Sequence, residues 1–219
     1  MNAKATNGGG VSPKLKKVMF ALTLGGVMSF LGAMAMMRLI DGGALGDFGP
    51  SREIAALVGM LYVFTALATG FGVLNPKAGA TFLNVEDAEE LREQRAMLGL
   101  SSIGLAAFGL VLMVAAFAGP VGPIPPVTVV VVIAVLMIGA AIASIASWRR
   151  QDELMRAVGR EAGTTAFYLL LLVGGGWALM AHLELAKGPA ALDWLTMIWA
   201  LLLVASFIVI GRRGMLRMR

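Results

Sequence analysis

His182, Glu184 and Asp193 are the nearest this sequence comes to a catalytic or metal-binding group. An imidazole beside two carboxylates could hold a metal ion or relay a proton. Their spacing is that of a loop, however, and it carries no ligand signature. The chain has one histidine and no cysteine, so disulfides, thiolate metal sites and a bis-histidine haem cannot be built from it. Its 15 methionines could offer thioethers to copper, but without histidine or cysteine partners nearby they read as flexible apolar filler. Gly8, Gly9 and Gly10 lack the spacing of a phosphate-binding loop or a dinucleotide fingerprint. No nucleophile–base pair is recognisable either. The expectation is a protein with no cofactor, no metal and no catalytic residue, in which the outer-face trio is an interfacial polar belt.

Two charged joints are better stocked. Residues 84–96 include Glu89, Glu90 and Arg92, and residues 149–162 include Asp152, Glu153 and Arg156. Glu89 and Arg92 are three apart, and Asp152 and Arg156 four apart, so each pair can meet on one helix face. Asn84 suits a helix N-cap, with Glu86 and Asp87 in the first turn where the helix dipole favours negative charge. Neither joint contains a strong breaker before the next apolar run. Both are expected to be cytoplasmic helices that continue into the bilayer, and these six charged residues are the candidate interaction surface. A third group is made of small residues. Gly139, Ala143 and Ser147 fall at four-residue steps, which lets membrane helices approach closely. Gly174, Gly175 and Gly176 interrupt another apolar run, as packing or as a hinge.

The elements that must position these residues follow from composition. Hydrophobic residues make up 58% of the chain, charged residues 14%, and the mean hydropathy is +0.83. That is too little charge to coat a water-soluble body, whose residues are about 25% charged. Six apolar runs stand out, at about 18–40, 54–75, 97–118, 125–147, 164–185 and 191–211. Each has the length that an α-helix needs to cross roughly 30 Å of hydrocarbon. Runs such as Val127 to Met137 are apolar at every position, which excludes the alternation of a membrane β-barrel. Turn formers at Asp41-Gly42-Gly43, Gly119-Pro120 and Lys187-Gly188-Pro189 mark hairpin tips. The expected fold is therefore all-α, a polytopic bundle of six transmembrane helices arranged as three antiparallel hairpins. Residues 1–17 form a flexible cytoplasmic tail and 212–219 a basic one.

Orientation follows from the distribution of basic residues. With the N-terminus inside, the inner segments hold Lys4, Lys14, Lys16, Lys17, Lys77, Arg92, Arg95, Arg149, Arg150, Arg156, Arg160, Arg212, Arg213, Arg217 and Arg219. These are fifteen of the 18, leaving Arg38, Arg52 and Lys187 outside. Cytoplasmic loops retain Lys and Arg, so both termini are placed in the cytoplasm. The same distribution removes nucleic acid from the expected partners despite a net charge of +5, because the basic residues flank apolar runs and form no patch interleaved with aromatics. The middle of every span is free of Asp, Glu, Lys, Arg and His, whereas coupled transporters usually keep such a group at the midplane.

The segment Asp152-Glu153-Leu154-Met155-Arg156, followed by Glu161-Ala162 at the mouth of an Ala-rich helix, resembles small bacterial multi-span membrane proteins of unknown function that carry an Asp-Glu-x-x-Arg juxtamembrane motif. The resemblance covers about residues 148–215. It implies a bacterial inner membrane and brings no activity with it. The expected role is that of a non-catalytic accessory protein, docking another membrane protein or a copy of itself through 84–96 and 149–162. The alternative is a transporter or channel for a small or apolar solute.

Overall fold

Long apolar runs punctuated by proline and glycine form helices, and the computed structural model describes them over residues 13–43, 48–83, 85, 87–118 and 122–215. In order they are α1 (Pro13–Asp41), α2 (Pro50–Leu74), α3 (Pro76–Phe82), α4 (Ala88–Glu93), α5 (Arg95–Ala116), α6 (Pro126–Arg150), α7 (Glu153–Leu170), a π-helical turn (Leu171–Gly175), α8 (Gly176–His182) and α9 (Ala191–Arg212). No strand occurs among the described residues. Proline opens α2, α3 and α6, where its missing N–H is one of the unsatisfied donors of a first turn.

Among the described residues five helices are long and apolar enough to cross a membrane: α2, α5, α6, the continuous Glu153–His182 helix, and α9. Five of the six expected spans are thus found among the described residues. The described apolar stretch of α1, Gly25–Leu39, is shorter than a full span. Helix α1 starts at Pro13, so residues 13–17, expected in a flexible tail, are helical; the rest of that tail lies outside the described residues.

The pairing also differs from three equal hairpins. Helices α5 and α6 pack together, as do α7 and α9, but the principal partner of α2 is α5, and α1 touches α2 only lightly. Small residues explain this choice. Gly59 of α2 and Gly109 of α5 cross backbone to backbone. A Cβ on Gly109 would stand 2.5 Å from the Gly59 carbonyl oxygen and 2.8 Å from Val63 N. Without a hydrophobic drive between helices in lipid, such close approach is a main source of association. About two turns away along the same faces, Ser102 Oγ donates to the Ala66 carbonyl at 2.7 Å. Ser101 and Ser147 join α5 to α6 through their hydroxyls at 3.2 Å.

An aromatic cluster packs between α2, α5 and α9. Tyr62 Oη donates to the Trp199 carbonyl of α9 at 2.8 Å. The Trp199 ring stands edge-on to Phe108, their centroids 4.2 Å apart, with Val111 and Leu112 completing the layer. At the proline-rich end, Met36, Phe48, Ala55, Ala56 and Ala116 form a second cluster with Leu192 against it. There Arg52 Nη2 donates to the Ala118 carbonyl and the guanidinium lies over the Phe48 ring. At the opposite end Arg213 Nε and Nη2 both donate to Glu161 Oε2, at 2.9 and 2.7 Å, tying α9 to α7. About a third of each side chain is exposed, so this pair contributes well under about 1 kcal/mol.

The joint between α2 and α5 is folded rather than extended. Asn75 caps α3, its side chain accepting from Ala78 N, and α3 turns back onto the end of α2, where Gly72 meets Gly79. Leu91 of α4, fully buried, covers that contact. Asp87 is the N-cap of α4, accepting from Glu89 N and Glu90 N at 2.8 and 2.9 Å. It replaces the expected cap, Asn84, which lies outside the described residues. Helix α4 does not run straight into α5: Gln94, at φ −84° and ψ 0°, breaks the helix for one residue. The second joint turns at Gln151 and Asp152, so the expected extension over 149–162 is divided between the end of α6 and the start of α7. Asp152 caps α7 through Met155 N at 2.7 Å, and α7 continues through the π turn to His182.

Candidate functional site

The two charged joints meet at one end of the bundle, opposite the proline-rich tips. Between them lies a cavity of about 470 Å³ lined by Glu93, Gln94, Ala96 and Met97 from one joint and by Arg150, Asp152 and Met155 from the other. Two carboxylates, one guanidinium and two thioethers give it mixed polarity. It is open to solvent and can receive a polar chain with an apolar side group. It lacks the enclosed apolar walls of a small-molecule site.

Of the six expected interaction residues, only Asp152 lines this cavity. Glu89 and Arg92 approach to 3.9 Å on the exposed face of α4, with 78% and 54% of their side chains exposed, so the pair is screened and weak. Glu90 accepts from Gln94 Nε2 at 3.1 Å and so holds a cavity-lining side chain in place. Glu153 is exposed in the first turn of α7. The expected Asp152–Arg156 pair is not formed. The Asp152 carboxylate faces its helix N-terminus, and the Arg156 guanidinium lies over the Trp148 ring, 5.2 Å from the centroid. Arg156 Nε is buried without a hydrogen-bond partner. Glu93, Gln94, Arg150 and Met155 fall within the two expected segments, and Met97 one residue beyond the first, but residue type does not single them out. Only the meeting of the segments in space marks them.

The other candidates have structural surroundings. His182 ends α8 and is exposed; Glu184 follows in the left-handed region at φ 58° and is exposed too. Asp193 Oδ2 accepts from Ala190 N at 2.7 Å and so closes the first turn of α9. Trp177 Nε1 donates to the Lys187 carbonyl at 2.7 Å across the same tip. Among the described residues no three His, Asp or Glu side chains gather closely enough to hold a metal ion.

The glycines separate into different environments. Gly174, buried inside the π turn, lies under the Trp194 ring of α9, where a Cβ would come within 2.7 Å of Cζ3. Gly175 has only Leu171 within reach, and the space beside Gly176 is open. On α6, Ala143 and Ser147 are buried, whereas Gly139 is exposed and open; Ala140 takes the buried place beside it.

Comparisons of the chain with family models, with curated proteins and with solved structures give no match. The all-helical fold with five membrane-length apolar helices is that of a multi-pass membrane protein, and the reading of its role rests on the charged end alone.

Proposed function

We propose that this chain is a non-catalytic accessory or interaction protein of the inner (plasma) membrane, crossing it six times with both termini in the cytoplasm. It docks another membrane protein, or a second copy of itself, at the charged end. The observation that carries this reading is the cavity shared by the joints, where Glu93 and Gln94 stand opposite Arg150 and Asp152. Charge placed on a folded cap and not on a loose loop favours specific pairing, since electrostatic complementarity selects partners more than it adds affinity. The cluster of Tyr62, Phe108, Leu112 and Trp199 packed between α2, α5 and α9 favours docking over passage of a solute, the rival reading.

The test of docking is photocrosslinking in native membranes from a photoreactive residue at Glu93. The expected result is a discrete adduct, either with another membrane protein or at twice the 22.9 kDa chain mass. The adduct is lost in an E89K/E90K/E153K variant and kept in D152N, because asparagine caps a helix as aspartate does. An adduct unchanged by the charge reversal would sink the proposal.

Topology has an equally direct test, because the chain has no cysteine of its own. Single cysteines at Asp41 and Glu184 should react with a membrane-impermeant maleimide on intact cells, and those at Asn2 and Glu89 should react only after permeabilisation. Labelling of the Asn2 position from outside would reduce the count to five crossings.

A further inference from the structure

Helices α6 and α7 are joined by only Gln151 and Asp152, yet they do not pack along their lengths. They splay from the corner into a wedge. On the α6 side an apolar stripe at helical spacing, Ile138, Ile142 and Ile145, is exposed and ends at Trp148. On the α7 side Arg156, Gly159, Arg160 and Gly163 share one face, away from Val158 and Ala162, which are buried near Val209 of α9. The two glycines leave open space beside the backbone: nothing stands within 4 Å of a Cβ on either.

The apex of the wedge is cationic. Arg149, Arg156 and Arg160 make no ion pair among the described residues, where only Arg92 and Arg213 find acids. Arg156 is held by the Trp148 ring and has its Nε buried without a partner. A buried guanidinium N–H left unpaired is costly, and an anion relieves it. The Glu153–His182 helix has 30 residues, about 45 Å at 1.5 Å per residue, against roughly 30 Å of hydrocarbon. Its first turns therefore stand at headgroup depth.

We propose that this wedge is a binding site for one anionic phospholipid. Its phosphate sits between Arg156 and Arg160, its headgroup meets Arg149 and the Trp148 edge, and an acyl chain lies over Gly163 and the isoleucine stripe. A cationic apex beside an apolar stripe on α6 and open glycine positions on α7 is complementary to an amphiphile with an anionic head. A soluble phosphate would use the arginines and leave the exposed isoleucine stripe unexplained. Planar guanidinium groups suit phosphate, and arginine-rich pockets between helices at the cytoplasmic side match anionic headgroups in this way.

The experiment titrates the delipidated full chain in nonionic detergent with dioleoylphosphatidylglycerol or dioleoylphosphatidylcholine, and reads adducts by native mass spectrometry. The expected result is a one-to-one phosphatidylglycerol adduct with markedly weaker phosphatidylcholine binding. R156Q/R160Q should weaken the adduct by about fivefold for each arginine removed. G163L keeps every charge, its Cβ meets no neighbouring atom within 4 Å, and it should also lose the adduct because it fills the floor of the wedge. K14Q/K16Q removes the same amount of charge elsewhere and should leave it unchanged. Equal binding of the two lipids, an undiminished adduct in R156Q/R160Q or G163L, or an equal loss in K14Q/K16Q would each overturn the proposal. So would complete displacement by millimolar inorganic phosphate, which would assign the arginines to a soluble anion.

Discussion

Gly109→Val should separate α2 from α5 and be the most damaging single substitution in the bundle. At Gly109 the first added carbon already falls 2.5 Å from the Gly59 carbonyl oxygen and 2.7 Å from Val63 Cγ2, and valine adds two methyl groups beyond it. The obstruction is mostly backbone, so no rotamer of a neighbour relieves it. Overpacking in a close-packed interior costs about 1–3 kcal/mol when side chains can shift, and more when they cannot. Here the helices must move apart. The Ser102–Ala66 hydrogen bond, at 2.7 Å on the same interface, would then lengthen or break. The expected outcome is a loss of roughly 3 kcal/mol or more, read as a large drop in thermal midpoint in detergent and in folded yield from membranes. Gly139→Val is the matched control: Gly139 is exposed with open space beside it, and its substitution should change the midpoint little. Equal damage at the two positions would mean that the α2–α5 crossing is not where the bundle is held.

That contrast also shows which parts of the fold were legible in the sequence. Helix positions were, because hydropathy is a local property and lipid rewards it residue by residue. The runs expected at 54–75, 97–118, 125–147 and 191–211 coincide within a few residues with α2, α5, α6 and α9. Helix partners were not. Gly139, Ala143 and Ser147 sit at four-residue steps, but a helix turns 3.6 residues per revolution, so Gly139 rotates out while Ala140 rotates in. Gly59 and Gly109 carry no local mark among the 28 glycines of the chain, and their meeting depends on the relative height of two helices.

The site was legible to the same degree. Both charged joints were recognisable by composition, and their placement at one end follows from alternating helix direction. The folding of the first joint was hidden in Gly72, Gly79 and Leu91, three ordinary residues that become informative only when α3 turns back on α2. The Asp152–Arg156 pair looked natural at i, i+4, but two stronger local demands take precedence. A helix N-terminus needs an acceptor, and an exposed tryptophan offers a face to a cation. The charges kept their positions in the chain and changed their partners.

Leu91→Ala should be the second large effect, and it separates the stability of the bundle from the integrity of the charged end. Leu91 is completely buried although it lies in a six-residue helix at the membrane margin. Its Cδ2 fills the space beside Gly79 at the α2–α3 contact, so truncation leaves a cavity that the short helices α3 and α4 must close. Large-to-small changes at such positions cost about 2–5 kcal/mol. Isolated helices this short are unstable in water, so α3 and α4 depend on that contact to stay folded. The loss should therefore be local. Protease cleavage between residues 75 and 94 should rise sharply and the Glu93 crosslink should disappear, while the Tyr62–Trp199 layer and the overall helix content persist. Leu91→Met, which conserves volume, should restore both crosslink and protection. If the Leu91→Ala chain keeps its crosslink while its joint is cleaved, the partner does not read the folded cap, and docking belongs to the α6–α7 corner alone.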